Sequence, residues 1–321
     1  MSSSCLVVMY HYVRDTTATP FPDIRALAPS FFERQLDWLQ TQYNVIDIAA
    51  LEAAINDDRS LPPNAALLTF DDGLVDHYEV VRPLLRERGL RGTFFLSEGA
   101  CGSSPRLLTV HKMHFLIARL GAEVFARSVL DHCGAVTTRA NTREVLGRDR
   151  WEEADVRSIK HLISHELPFA EADRVLDSLF ARHIGDAEAF ARSLYLNATM
   201  IRQMAADGMT FGHHTRTHRM LVRLSPEDQE QEVRGGVEWV RSLTGQSTVP
   251  FCYPWGGPRT YTADTVRIVR ECGYSLAFNT VRRRVHAGDN RFELPRIDTR
   301  DLPPYTAAEP LPAFGVSAED A

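Results

Sequence analysis

The feature that most constrains this chain is a phrase it repeats: a helical pattern, a glycine, then a short apolar run. It reads VVRPLLRERG-LRGTFFL, then MIRQMAADG-MTFG, then VRIVRECG-YSLAFN. Glycine just past a helix is the preferred left-handed cap, and continuous runs rich in β-branched and aromatic residues suit strands covered on both faces. The phrase therefore predicts an α/β protein, either a barrel or a doubly wound sheet with parallel strands. Further strands are expected at CLVVMY, NVIDI, AALLTF, TVPFCY and a last one around residues 291–297. With 321 residues, 44% of them hydrophobic, the chain can bury one large core, and barrels of this size commonly form a single domain.

Polar groups able to do chemistry stand at the C-terminal ends of several runs: His11 after LVVMY, Asp71 and Asp72 after ALLTF, His213 and His214 after MTFG, Trp255 after FCYP. In a barrel of parallel strands that face is where active sites are built. Strand phrasing stops between residues 103 and 205. Amphipathic helical patterns replace it there, with Val110, Met113, Ile117, Leu120 and Val124 spaced as one face and Val175, Leu176, Leu179 and Phe180 as another. This reads as a helical insertion, 103–205, interrupting a barrel of residues 1–301, and it is either a stabilising cap or a lid that selects substrate. A tail, 302–321, rich in Pro, Ala and Glu, is expected to pack loosely.

A net charge of −6 with no block of Lys and Arg argues against nucleic acid as a partner. The N-terminal MSSSCLVVMYHYV has no basic region or long apolar run of a signal peptide, and no apolar run approaches the ~20 residues of a transmembrane segment. Five cysteines without CxxC spacing suit reduced thiols. Together these features lead us to expect a cytoplasmic protein. The oligomeric state is not readable from the sequence.

Two constellations carry chemistry. In Thr69-Phe70-Asp71-Asp72-Gly73 adjacent carboxylates on a strand would point to opposite faces, so a turn at Asp72-Gly73 is required before both can serve one site. The competing role is a helix N-cap at Asp72. In His214-Thr215-Arg216-Thr217-His218 two imidazoles four residues apart can meet at one divalent ion, although such pairs are often mere surface groups. A His-His-Asp set leaves coordination positions open for water and substrate, with Asp71 left to accept the water's proton. His213 reads either as a supporting neighbour of the pair or as a competing ligand. His111, His114, His161 and His165 fall on the insertion helices without a carboxylate motif beside them, and are expected to lie on amphipathic faces.

The two motifs resemble those of the polysaccharide deacetylase family, also called the NodB-homology or carbohydrate esterase family 4 group. The family's T-F-D-D-G is intact at Thr69 to Gly73, and its H-[ST]-x-x-H is met by His214 to His218. The resemblance spans roughly residues 6–96 and 200–297. It implies a distorted (β/α) barrel with Asp71 as base, Asp72, His214 and His218 as ligands, and a divalent metal, Zn²⁺ first with Co²⁺ or Ni²⁺ as alternatives.

The chain also departs from the family. The third motif, R-x-P-Y-G, reads Cys252-Tyr253-Pro254-Trp255-Gly256 here, so Cys252 replaces the arginine that orients the base. Arg296, in Leu294-Pro295-Arg296-Ile297, could restore that guanidinium, or could be a surface ion-pair partner. The backbone N–H of Trp255 is implied as an oxyanion donor. The late Leu-x-His acid motif is not evident, and Met9-Tyr10-His11-Tyr12-Val13 instead looks like the branch of poly-N-acetylglucosamine deacetylases in which an early His is the acid. Otherwise His11 is a half-buried imidazole bonded to a backbone carbonyl. The implied substrate is an N-acetylated sugar, with nucleotide-linked or lipid-linked glycan precursors as candidates. The alternatives are a non-sugar amide or cyclic imide hydrolase, and a carbohydrate-binding protein without catalysis.

Overall fold

The structure, a computed structural model, describes residues 4–17, 19–57, 59–133 and 154–305. The chain runs β1 (Ser4–Tyr10), α1 (Pro29–Gln42), β2 (Asn44–Ile46), α2 (Ile48–Asn56), β3 (Ala65–Phe70), α3 (Arg82–Glu87) and β4 (Thr93–Leu96). A helical stretch follows: α4 (Glu98–Cys101), α5 (Thr109–Leu120), α6 (Ala122–Cys133), α7 (Ala154–His161), α8 (Phe169–His183), α9 (Ala187–Leu194) and α10 (Ala198–Ala206). The alternation then resumes with β5 (Thr210–His213), α11 (Pro226–Val233), α12 (Gly236–Thr244), β6 (Phe251–Cys252), α13 (Ala263–Glu271), β7 (Ala277–Phe278), β8 (Val285–His286) and β9 (Ile297–Asp298).

The strands pair in the order β7-β6-β5-β4-β3-β1, all parallel, with β2 and β4 sharing one edge of β3 and β8 antiparallel at the start of β1. The segment from Arg291 to Asp298 joins the two edges of this curled sheet. Leu294 donates its N–H to Ala277 O (2.8 Å) and accepts from Asn279 N–H (2.9 Å), while Ile297 pairs with Val8 of β1. A chain crossing from one edge strand to the other cannot keep a ladder with either, so the strand expected over 291–297 is regular only at Ile297–Asp298. The result is the distorted (β/α) barrel that the resemblance implied.

The three repeated phrases form as their chemistry dictates. Gly89, Gly208 and Gly273 follow α3, α10 and α13 with φ of +64°, +86° and +83°, a region costly for any residue with a Cβ. Strands β3 and β4 are buried on both faces. Their alternation sorts two cores: Leu6, Val8, Ala66, Leu68 and Phe94 face the helices, whereas Cys5, Val7, Ala65, Leu67, Phe95, Cys252 and Phe278 fill the barrel. That period of two aims the next side chains too.

Within the helical stretch α5 packs on α8, and the rings of Phe115, Phe180 and Phe190 meet at 4.7–5.3 Å. Val175, Leu176, Leu179 and Phe180 are buried as their spacing predicts. Val124 departs from its predicted face and is 48% exposed, because Gly121 (φ +77°) ends α5 and α6 starts on a new axis. Of the tail expected to pack loosely, Leu302 is instead fully buried, Tyr305 is 41% exposed with its ring 5.2 Å from that of Phe31, and 306–321 lie outside the described residues. No helix among the described residues is long and apolar enough to cross a membrane.

Candidate active site

The register of β3 places Ala65 and Leu67 inside the barrel, and Thr69 and Asp71 continue that series at its mouth. Arg296 arrives there from the closing segment. Its Nη1 donates to Asp71 Oδ1 and its Nη2 to Oδ2, both at 2.7 Å, while Nε donates to Asn279 O and Nη1 also reaches Thr69 Oγ1. Arg296 is 1% exposed, so it is no surface ion-pair partner, and its guanidinium sits beside Cys252 Sγ at 2.9 Å. Burial pushes the Asp71 carboxyl up, but the Arg296 charge and paired hydrogen bonds outweigh it and pull it down to about 2.

Asp72 has the same burial and different partners. Its φ of +75°, followed by Gly73 at +63°, turns the chain sharply after β3 and brings the second carboxylate to the same side. A Cβ at Gly73 would stand 2.4 Å from Cys101 Sγ, so only glycine fits. Asp72 caps no described helix. Its Oδ1 lies 3.6 Å from His214 Nε2 and 3.4 Å from His218 Nε2, and it is a buried oxygen without a hydrogen-bond partner. His214 donates Nδ1–H to Cys252 O at 2.7 Å, which fixes its tautomer and leaves the Nε2 lone pair facing Asp72. Burial holds His214 below its ordinary value against the opposing pull of Asp71 and Asp72, and lowers His218 to about 3. An oxygen and two imidazole nitrogens, buried and mutually unbonded, form a set that a divalent cation would satisfy. Asp71, His214 and Cys252 also lie close together. In that set Arg296 already takes both Asp71 oxygens, and burial raises the Cys252 thiol well above its usual range, so it suits a cation poorly.

Two of the histidines sit differently from the sequence expectation. His111 is fully buried rather than on an amphipathic face, and its Nε2 lies 3.1 Å from Asp72 Oδ2. The reason is that α5 is wedged between the barrel mouth and α8 and buries His111, Met113, Phe115 and Leu116, more than one stripe. His114 neighbours it, with ring centroids 6.0 Å apart. His213 belongs to neither role proposed for it. The period of two turns it toward the helix layer, where Nδ1 bonds Tyr274 Oη at 2.6 Å. His161 and His165 stack on each other at 4.2 Å, and His165 lies 6.2 Å from the Trp255 ring, on the rim of the site.

His11 follows β1 with its Nε2 3.8 Å from Asp71 Oδ2 and its side chain 42% exposed. Its carbonyl accepts a hydrogen bond from His77 Nε2 (3.0 Å), an anchor that holds the residue at the mouth. A cleft of about 710 Å³ opens beside it, lined also by Tyr12, Asp23, Arg25 and Arg300. Trp255 has φ +66° and its ring lies 6.2 Å from His218. Its backbone N–H has no acceptor among the described residues. Thr215 and His218 also adopt positive φ, of +60° and +59°, and such strained backbone gathers at functional sites.

The fold and the cluster define a parallel-strand barrel with an acid–imidazole centre at the C-terminal ends of its strands. The sequence pattern of the polysaccharide deacetylase family matches residues 58–114 and 172–277, just over half the chain, and the chain belongs to that family. The match includes His111, and so reaches further into 103–205 than the two motifs indicated. The chain is 24% identical over 275 residues to the putative polysaccharide deacetylase YxkH of Bacillus subtilis (strain 168), covering 85% of this chain and 63% of that relative's length. Its fold is similar to Streptococcus pyogenes deacetylase PplD in complex with acetate (TM-score 0.58, 17% identity, 93% of each chain). It is likewise similar to IcaB from Ammonifex degensii (TM-score 0.57, 19% identity, 92% of each chain).

Proposed function

We propose that this chain is a metal-dependent deacetylase that hydrolyses the amide of an N-acetylated sugar. The carrying observation is the orphaned Asp72 Oδ1 facing two imidazole nitrogens, beside a second carboxylate held apart by Arg296. Asp72, His214 and His218 would hold a divalent cation, with Zn²⁺, Co²⁺ and Ni²⁺ all matching imidazole and carboxylate donors. Such an ion supplies Lewis-acid polarisation of a carbonyl and lowers the pKa of a water to about 7.

The protein's own groups do the rest. Asp71 accepts the proton of the attacking water. A guanidinium bound at both oxygens still leaves a lone pair on each, and the Oδ2 side faces His11. Its depressed pKa keeps Asp71 ionised at neutral pH, with its oxygens able to accept a proton. Arg296 keeps that carboxylate oriented. The Trp255 N–H donates to the oxygen that gains charge in the tetrahedral state. His11, half-exposed at the cleft, protonates the departing nitrogen.

The test combines elemental analysis with acetate release from N-acetylglucosamine oligomers, nucleotide-linked N-acetylhexosamines and lipid-linked forms, with a cyclic imide as competitor. Stoichiometric cation and acetate from a sugar are expected. Cation with imide opening alone would replace the substrate class, and neither cation nor acetate would favour a binding protein.

A further inference from the structure

We infer that His111 and Tyr195, both carried by the helical stretch between β4 and β5, are positioning residues that aim Asp72 at its cation, so that this stretch sets the affinity of the barrel's own ligands. The inference rests on the cation reading above and deepens it.

Hydrogen-bond accounting gives the chain one direction. Leu108 N–H lies 3.0 Å from Tyr195 Oη, Tyr195 Oη 2.6 Å from His111 Nδ1, and His111 Nε2 3.1 Å from Asp72 Oδ2. A backbone N–H only donates, so Tyr195 accepts there and has its own proton free for Nδ1. Nδ1 then accepts, the ring proton resides on Nε2, and Nε2–H donates to Oδ2. That bond ties one carboxylate oxygen down and leaves the other turned to His214 and His218. The far end is anchored as well: Leu196 N–H donates to Gly73 O (2.8 Å) and Val75 N–H to Leu194 O (2.7 Å), clamping Tyr195 against the turn that follows Asp72. His111 and Tyr195 are 0% and 2% exposed, so water cannot substitute for either bond. Groups that orient a ligand in this way typically contribute about 10–100-fold in metal affinity.

The experiment measures Zn²⁺ affinity of chelator-stripped wild type, His111→Phe, His111→Gln and Tyr195→Phe by competition with a chromophoric chelator, with metal-free melting temperatures recorded alongside. His111→Phe keeps the ring volume without the donor and is expected to bind about 10–100-fold more weakly. His111→Gln, whose amide can donate from the place of Nε2, is expected to recover most of that loss, and Tyr195→Phe to fall between. A merely structural role would lower the melting temperatures of the metal-free proteins and leave affinity alone. Tight wild-type binding with unchanged affinity in Tyr195→Phe and a folded His111→Phe overturns the inference and spares the cation reading. A wild type that binds no Zn²⁺ overturns both.

Discussion

Asp71 and Asp72 are neighbours in the chain, equally buried, and opposite in environment. The Asp71 side is built by the barrel: β3 aims the carboxylate inward, and the closing segment delivers Arg296, whose permanent charge meets both oxygens. The Asp72 side is built by the turn at Gly73, the loop after β5 and the helical stretch, which together give one oxygen an imidazole N–H and leave the other facing two imidazole nitrogens. A carboxylate completed by a guanidinium needs nothing more. One left half-satisfied among imidazoles calls for a cation. The difference teaches that burial alone assigns no role, and that the identity of the partners separates the proposed base from the proposed ligand.

The strongest test of this contrast is Asp71→Asn. Turnover is expected to fall by about 10²–10⁴-fold with cation content unchanged, read by acetate release and elemental analysis; loss of the cation instead would merge the two roles. Arg296→Met comes next. It leaves Asp71 buried and unpaired, and a loss of about 3–5 kcal/mol in urea unfolding is expected, partly relieved when Asp71→Asn is added. A cost below about 1 kcal/mol, typical of an exposed pair, would mean that Arg296 does not complete Asp71.

The smallest expected effect is in pH. His218 is held at about 3 when folded, below the ordinary 6.5, so on acidification the unfolded chain takes the proton first and stability falls from pH 6.5 downward. Asp71, held at about 2 against an ordinary 3.8, contributes stability above that ordinary value, lost only as pH drops through 3.8 toward 2. The metal-free protein should therefore weaken first on the imidazole side, and His218→Asn, whose new residue tolerates φ +59°, should reduce the slope of the urea midpoint between pH 7 and 5 without abolishing it, because burial lowers His77, His165 and His213 as well. An unchanged slope there would place the titrating groups elsewhere.

Much of this was written locally. The α-Gly-β phrases, the Asp-Asp-Gly turn and the His-x-x-x-His spacing are short-range patterns, because caps, turns and strand alternation depend on residues a few positions apart. They determined the α/β class, the two carboxylates, the imidazole pair and the family resemblance, and that resemblance implied the barrel. Arg296 was legible as compensation for Cys252 because the chain lacked a guanidinium where Asp71 needs one. Other facts were decided only by tertiary structure. Whether His213 faces inward or outward depended on the barrel's register, Leu302 was buried by its docking, and His111 became a partner of Asp72 because α5 was laid across the barrel mouth. A helix shows its period in sequence, but which neighbour covers each face is set by contacts between residues far apart in the chain, and local spacing carries no record of them.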